Sequence, residues 1–310
     1  MTPAPTPTPD RAVARWAAFS ADPAGGNPAG VVLDARGLTD AEMQATALAV
    51  GDAETAFVVE PDLDGDGRRH RVRYFSPVAE VPFCGHATVA TAIALAERDG
   101  PGRVVVETAV GPVPLETTVE PDGGARASFT SPEPRVEPLA AGVLARLLAV
   151  LGLRATDLDD SRPVLAAWAG NLHPVLPVVD RAAFDGFVVD AGALRPLMDE
   201  QGWAGTVTVV HELGVDDDGT LVLEARNPFP VGTLVEDPAT GSAAAALGGW
   251  LRASGRVVPP VRVRVHQGAH VGRPGVLDVL VPVTGGVVVS GRGVRIDGAA
   301  PPAEEAGRAS

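Results

Sequence analysis

Cysteine and long hydrophobic runs are what this sequence most lacks. Its 310 residues include one cysteine, Cys84, which excludes an internal disulfide framework and a zinc site built from several thiolates. A lone thiol fits a reducing compartment, so we expect a cytoplasmic protein. No stretch of about 18 residues is free of glycine, proline and charge, so we expect a soluble chain without a membrane span.

Basic residues are scarce relative to acidic ones. The chain carries 25 Lys and Arg against 39 Asp and Glu, which gives a net charge of −14. Such a surface would repel a phosphate backbone instead of releasing its counterions. Nucleic acid is therefore not expected as a partner.

Sequence motifs for metals and nucleotides are missing as well. There is neither an HExxH pattern nor a GxxxxGK[ST] phosphate loop, and residues 291–293 lack the third glycine of a dinucleotide fingerprint. The acidic runs at 62–66 and 216–218 lack the spacing of a calcium loop and are interpreted as solvated hairpin tips. The histidines without a metal-binding pattern are His70, His173, His211, His266 and His270.

Two segments predict helices that are buried on all sides. Residues 87–96 are interrupted only by Thr88 and Thr91 within a run of Ala, Val, Ile and Leu, and residues 243–251 are again nearly without charge. A helix that is apolar all round must be buried all round. Because 310 residues favour two units over one core, we expect two halves, each enclosing one of these helices.

Many short apolar segments predict the strands that would wrap these helices. A further helix is predicted to begin after Thr39, which forms a capping box with Glu42, and to end at Gly51. Residues 132–153 are the expected passage between the halves. The predicted strands lie at 15–19, 29–33, 55–59, 70–75, 104–107, 113–119, 175–179, 207–210, 221–225, 261–265, 277–281 and 287–289.

Two turns that lead into the buried helices could carry chemistry. The first contains Gly85 and His86, and the second contains Asp237, Gly241 and Ser242. Helix N-termini present free N–H groups and a positive dipole end, which suit a substrate carboxylate and favour a neutral imidazole. The structural alternative is that the glycines permit tight turns and that Asp, Thr and Ser are ordinary N-caps.

Glu54 is the candidate acid/base group. It precedes the apolar strand at 55–59, where partial desolvation would raise its pKa toward the value that proton transfer at neutral pH requires. An exposed glutamate at the start of a strand is the alternative, and sequence spacing does not decide between them.

Six motifs occur in order along the chain. They are Gly26-Asn27-Pro28, Glu54-Thr55-Ala56-Phe57-Val58, Arg73-Tyr74-Phe75-Ser76-Pro77 with Glu80, Cys84-Gly85-His86-Ala87-Thr88, Asp237-Pro238-Ala239-Thr240-Gly241-Ser242, and Gln267-Gly268 followed by Gly272-Arg273-Pro274. Together they resemble the PhzF family, the phenazine-biosynthesis-like isomerases, which share their fold with diaminopimelate epimerase. The resemblance extends from Phe19 to about Asp297.

The resemblance implies an α+β fold of two similar halves, each a mixed β-barrel around a central helix. The halves would cover 11–131, completed by about 287–298, and 132–286, with 1–10 and 299–310 as disordered tails. It implies a homodimeric isomerase without metal or organic cofactor, acting on a small carboxylate. The implied site has Glu54, His86 and Asp237 as catalytic residues and Asn27, Gly85, Gly241 and Ser242 as substrate contacts.

The single cysteine indicates which reaction of that superfamily this chain can carry out. Epimerases of the superfamily use two cysteines as base and acid, whereas this chain offers Cys84 alone, which we interpret as a small buried residue. The expected reaction is proton transfer by Glu54 on a dihydro-hydroxyanthranilate-like substrate. An amino-acid epimerase or racemase, and a binding protein without activity, are the alternatives. Ala53 replaces the serine that often precedes this glutamate in relatives, so the substrate can differ.

Overall fold

Strands dominate the computed structural model, which describes residues 12–230 and 235–296. The predicted tails at 1–10 and 299–310 lie outside these ranges. The strands are β1 (Ala14–Ala18), β2 (Asn27–Val32), β3 (Glu54–Glu60), β4 (Arg69–Phe75), β5 (Glu80–Val81), β6 (Gly102–Thr108), β7 (Gly111–Val119), β8 (Ala125–Thr130), β9 (Arg135–Pro138), β10 (Leu165–Trp168), β11 (Leu172–Pro177), β12 (Thr208–Val215), β13 (Leu221–Arg226), β14 (Val261–Gln267), β15 (Gly275–Val281) and β16 (Val288–Ile296).

Helices fill the connections between the strands. Short 3-10 helices lie at Ala155–Asp157 and Ala269–Val271. The α-helices are α1 (Asp40–Val50), α2 (Gly85–Asp99), α3 (Ala141–Leu151), α4 (Arg181–Gly186), α5 (Ala191–Gln201) and α6 (Gly241–Ala253).

The first half is a closed barrel around α2. Neighbouring strands follow the order β1-β2-β3-β4-β6-β7-β8-β16, and β5 pairs with the edge of β4. The end of β16 pairs antiparallel with β1, where Ile296 lies opposite Arg15. The barrel is therefore closed by a strand that follows its other strands by more than 150 residues, since β8 ends at Thr130 and β16 begins at Val288.

The second half is a curved sheet around α6. Its order is β16-β15-β14-β13-β12-β11-β10-β9, and the first residues of β16 provide the link because Val288 to Ser290 pair with β15. Among residues 12–230 and 235–296, β9 pairs with β10 alone, so β9 is the free edge of this sheet.

The two halves repeat one topology. Each has two parallel pairs, β2–β3 and β4–β6 in the first half and β11–β12 and β13–β14 in the second, while the remaining pairs are antiparallel. The central helices α2 and α6 lie in equivalent crossovers. The expected α+β fold with two similar halves around central helices is confirmed, and the boundaries after residues 131 and 286 stay a prediction.

Burial of the central helices agrees with their lack of a polar face. All ten residues of α2 from His86 to Leu95 are buried, and α6 is buried from Gly241 to Leu251 except at Ser242. Both helices contribute to one apolar core that also includes the inward-facing residues of the strands. The sequence prediction of two enclosed helices was therefore right.

Helices outside the sheets form smaller cores. Helix α1 has the predicted capping box between Thr39 and Glu42 and ends at Gly51 in the left-handed conformation. Helices α3, α4 and α5 pack with the outer face of β11 and β12. Sequence reasoning missed α4 and α5, although Asp180 and Asp190 cap them. Helix α4 has only six residues, and Pro196 interrupts the helical pattern of α5.

The described helices are also short. Within residues 12–230 and 235–296, none is long and apolar enough to cross a membrane.

Candidate active site

Three ionisable side chains meet at the N-terminus of α2. Glu54 is the first residue of β3, Cys84 is the N-cap of α2, and His86 lies in its first turn. The Cys84 thiol lies 3.2 Å from Oε2 of Glu54 and 3.3 Å from Nδ1 of His86. Nε2 of His86 is 3.5 Å from the same glutamate oxygen. A carboxylate, a thiol and an imidazole therefore form one cluster.

Burial sets the protonation states of this cluster. It raises the pKa of Glu54 to about 7, while the hydrogen bond from the Cys84 thiol opposes the rise and the charge of Asp237 adds to it. Burial also lowers the pKa of His86 to about 4 and raises the pKa of Cys84 well above its usual value. At neutral pH, His86 is neutral, Cys84 is a thiol, and Glu54 populates both forms. Such a carboxyl group can both take and return a proton.

Asp237 from the second half faces this cluster. Its Oδ1 accepts a hydrogen bond from Nδ2 of Asn27 at 2.7 Å, and its other oxygen accepts one from the Thr240 hydroxyl. Burial raises the pKa of Asp237 to about 6 against these hydrogen bonds. Since Asn27 begins β2, this contact joins the two halves. The carboxyl groups of Glu54 and Asp237 are thus both partly protonated near neutral pH.

The first turns of α2 and α6 contain Gly85, Gly241 and Ser242. The N-cap residues, Cys84 and Thr240, make no side-chain cap to these turns. The N-capping interpretation of the second turn is therefore wrong for Thr240, whose hydroxyl donates to the preceding aspartate instead. Neither N-cap side chain therefore makes a capping hydrogen bond to its helix. Helix N-termini of this kind suit an anionic ligand, because their first N–H groups have no partner within the helix.

The two glycines of these turns differ in their surroundings. A Cβ at Gly241 would lie 3.1 Å from Cζ of Phe129 and 3.3 Å from Cζ of Phe19, whereas at Gly85 its nearest neighbour would be Phe83 at 3.9 Å. Gly241 is therefore needed for packing. The small size of Gly85 keeps space open beside the cluster.

A buried glutamine holds the turn before α6, and sequence reasoning missed it as a functional residue. Nε2 of Gln267 donates to the Asp237 carbonyl at 2.7 Å and to the Thr240 hydroxyl oxygen at 3.0 Å, and its Oε1 accepts from the Thr240 N–H at 3.2 Å. The side chain thus fixes the backbone that carries Asp237, the aspartate expected to be catalytic. Its position within a recognised motif was the available signal.

Two arginines hold the loops around the site. Arg226 forms a buried ion pair with Glu236, the residue before Asp237. Arg273 donates through Nε to the carbonyl of Gly26 at 2.9 Å and through Nη2 to that of Gly25. Arg273 lies between β14 and β15, so it ties the second half to the turn that leads into β2.

The family model for phenazine biosynthesis-like proteins (PhzC-PhzF) matches residues 16–306 of this sequence. The chain belongs to the PhzF family. A Deinococcus radiodurans protein named an uncharacterized isomerase is 36% identical over 283 residues, covering 88% of this chain and 87% of that protein. The trans-2,3-dihydro-3-hydroxyanthranilate isomerase of Pseudomonas aeruginosa is 31% identical over 257 residues, covering 83% of this chain and 85% of the enzyme.

A solved PhzF-family structure has the same fold. The Bacillus anthracis phenazine biosynthesis protein superposes with a TM-score of 0.78 at 27% identity, covering 92% of this chain and 96% of that one. The expected family is therefore confirmed, and the expected enzyme class agrees with relatives that are named isomerases.

One PhzF motif has a structural role here. Arg73 donates to both carboxylate oxygens of Glu80 at 2.7 Å and to Asp40 at 2.7 Å. These contacts hold β5 and the start of α1 against β4. The motif therefore shapes the segment that leads to Cys84.

Within residues 12–230 and 235–296, two groups have the donor types of a metal site. Ligand atoms of Glu54, Cys84 and His86 lie within 4.8 Å of one another, as do those of three exposed aspartates at 62, 64 and 66. The first group is accounted for by its own hydrogen bonds, because the protonated thiol donates to the carboxylate. The expectation of a site without metal stays a prediction.

Proposed function

We propose that this PhzF-family chain is a cofactor-independent isomerase that moves a proton within a small carboxylated substrate, with Glu54 as the general acid/base. The observation that carries the proposal is the position of the Glu54 carboxyl group, whose pKa is raised to about 7 by burial, within 3.5 Å of Cys84 and His86 at the N-terminus of α2. A group that titrates near the working pH is an effective proton carrier.

In the proposed reaction, the ionised form of Glu54 takes a proton from a C–H bond beside an unsaturated system. The electron pair moves into that system, and the protonated Glu54 returns the proton to a different carbon. Neutral His86 and partly protonated Asp237 exchange protons with a heteroatom of the substrate. The Cys84 thiol donates a hydrogen bond to Glu54 and so favours its ionised form.

The substrate carboxylate would bind at the N-termini of α2 and α6. Backbone N–H groups and the dipole of a helix N-terminus attract an anion. The expected substrate contacts there are Asn27, Gly85, Gly241 and Ser242. A substrate related to dihydro-hydroxyanthranilate is consistent with the name of the P. aeruginosa relative. We further propose a cytoplasmic homodimer.

The test is exchange of carbon-bound hydrogen for deuterium in D₂O, followed by NMR with candidate small carboxylates. We expect exchange with wild type and a loss of about 10²- to 10⁴-fold with Glu54→Gln, which cannot accept the proton. Glu60→Gln is the matched control because Glu60 lies exposed at the other end of β3. Exchange that survives Glu54→Gln would exclude the assigned role of Glu54.

The second candidate is an epimerase that uses the Cys84 thiol, favoured by its 3.2 Å contact with Glu54. The raised pKa of Cys84 argues against a thiolate base, because burial stabilises the neutral thiol. Cys84→Ala separates the two chemistries. Carboxylate chemistry retains most of the exchange in this variant, whereas thiol chemistry loses it. A ligand that raises the melting temperature without any exchange would instead indicate a binding protein.

A further inference from the structure

The proposed reaction does not use His173, although this residue contacts the first turn of α6. Its side chain is fully buried on the second residue of β11. Nδ1 lies 3.0 Å from the carbonyl oxygen of Thr206 and 3.1 Å from its hydroxyl oxygen. Nε2 lies 3.1 Å from Oγ of Ser242, in the first turn of α6. The imidazole therefore connects the strand β11 to the helix end at which a substrate carboxylate would bind.

The contact with Thr206 determines which nitrogen carries the proton. A carbonyl oxygen only accepts hydrogen bonds, so Nδ1 of His173 must donate and the proton lies on Nδ1. In the neutral imidazole Nε2 is then a bare acceptor. Ser242 has a single hydroxyl proton, and it is donated to Nε2. The Ser242 oxygen is left with lone pairs and no proton to offer a ligand.

The imidazole is held in this orientation by its surroundings. A Cβ at Gly205 would lie 2.6 Å from Cε1 and 2.8 Å from Nδ1 of the ring, so the glycine leaves just enough space for the side chain. Burial also lowers the pKa of His173 to about 4. The ring is therefore neutral at physiological pH, and the direction of both hydrogen bonds is fixed.

We propose that His173 is a positioning residue that makes Ser242 an obligate hydrogen-bond acceptor, an inference that rests on the proposed function. The site then selects carboxylates that carry a donor, such as an amino or hydroxyl group, beside the carboxylate. The backbone N–H groups at the start of α6 take the carboxylate, and Oγ of Ser242 takes the neighbouring donor. An acceptor group at that place would face the lone pairs of Ser242 without a proton between them.

The tautomer can be tested without any substrate, by ¹⁵N NMR of the histidine side chains in the full-length protein. We expect a protonated Nδ1 and an unprotonated Nε2 for His173 between pH 6 and 8. Ser242→Ala should shift the Nε2 resonance toward that of an unbonded nitrogen and leave Nδ1 unchanged. A proton on Nε2 would overturn the proposal, whatever the outcome of the deuterium exchange with Glu54→Gln.

The selectivity can be tested by calorimetry with two probes, 2-aminobenzoate as donor and 2-methoxybenzoate as acceptor. We expect wild type to prefer the amino compound about three- to tenfold, the range of one net hydrogen bond. His173→Asn keeps an N–H toward Thr206 but lacks Nε2, which releases the Ser242 hydroxyl. This variant should therefore bind 2-methoxybenzoate more tightly than wild type does.

Ser242→Ala is the matched variant for this experiment. It should reduce the preference mainly by weakening 2-aminobenzoate. It should improve 2-methoxybenzoate less than His173→Asn does, because the repelling oxygen is removed but no hydroxyl is left to donate to the methoxy group. Thermal melting of both variants shows whether the fold is kept, and the ratio of the two affinities is insensitive to a uniform loss of binding. Equal affinities in wild type, or an unchanged ratio in His173→Asn, would refute the selection of a donor.

Discussion

At the scale of the residue, the raised pKa of Glu54 has a consequence for stability that is independent of any substrate. The native state holds the Glu54 proton up to a pH of about 7, whereas the ordinary value is 4.5. Between these values the native state binds more protons than the unfolded state, so stability falls as the pH rises. A shift of this size corresponds to roughly 3 kcal/mol.

Glu54→Gln removes this titration. We therefore expect the variant to match wild type near pH 4 and to be more stable at pH 8, by up to about 3 kcal/mol. Urea unfolding at several pH values measures the difference, and comparison with wild type cancels contributions from groups that do not interact with Glu54. Glu60→Gln, on the exposed end of the same strand, should follow wild type. A constant difference between Glu54→Gln and wild type across this range would show that Glu54 has an ordinary pKa.

At the scale of the element, the close packing of α6 within the second half depends on glycine. A Cβ at Gly249 would lie 2.3 Å from Cβ of Pro134, in the segment before β9, and a proline ring has little freedom to yield. We expect Gly249→Ala to lower the free energy of unfolding by about 1–3 kcal/mol, the usual cost of overpacking.

Gly142 in α3 is the matched control for this substitution. It is exposed, and an added Cβ would meet nothing within 4 Å. Gly142→Ala should be neutral or stabilising by up to about 1 kcal/mol, because alanine is the better helix former. If the urea midpoints of both variants moved in the same direction, this would contradict the packing of α6 against Pro134.

The turn before α6 depends on the buried ion pair between Arg226 and Glu236. Arg226 also donates through Nη1 to the carbonyls of Phe184 and Phe187, at 2.9 Å and 3.2 Å. Arg226→Met leaves the Glu236 carboxylate buried without its partner, which typically costs about 3–5 kcal/mol. Chemical denaturation should show this loss.

The double variant Arg226→Met, Glu236→Met removes both charges together. We expect it to be more stable than the Arg226→Met single variant, because no unpaired charge is then buried. Deuterium exchange on these variants reports on the site, since Glu236 precedes Asp237. A single variant as stable as wild type would mean that the pair is solvated in solution.

At the scale of the whole molecule, local signals in the sequence predicted the elements better than their pairing. The absence of a polar face in residues 87–96 and 243–251 predicted enclosed helices, and both helices are enclosed. The capping box at Thr39 is likewise a local pattern that the structure confirms. No local pattern in residues 288–296 indicates that this strand closes the first barrel and also pairs with the second sheet, because pairing partners depend on the whole chain.

For the candidate site too, local signals in the sequence predicted the elements better than the contacts between distant residues. The two turns and Glu54 were identifiable because each lies beside a predicted element. The hydrogen bond from Cys84 to Glu54, and the one from Ser242 to His173, join residues 30 and 69 positions apart. Such contacts are determined by the register of the strands and the rotation of the helices, which spacing along the sequence does not give.

Strand β16, the last one within the described residues, makes the first half dependent on a segment far along the chain. Gly293 of β16 lies so close to α2 that a Cβ there would be 2.5 Å from Cδ1 of Ile93. A fragment of residues 12–131 lacks this strand, which leaves the side of α2 at Ile93 uncovered and both β1 and β8 with an open edge. We therefore expect this fragment alone to be unfolded or aggregated.

A permuted fragment should restore the fold of this half. Because Ile296 lies opposite Arg15 in an antiparallel pair, residues 287–296 can be joined to residue 12 through a short turn containing Asn-Gly. We expect dispersed amide resonances and cooperative unfolding for the permuted fragment, and neither for residues 12–131. If the shorter fragment folds as well, β16 is not needed to close the barrel; if neither folds, the first half depends on contacts with the second half beyond those of β16.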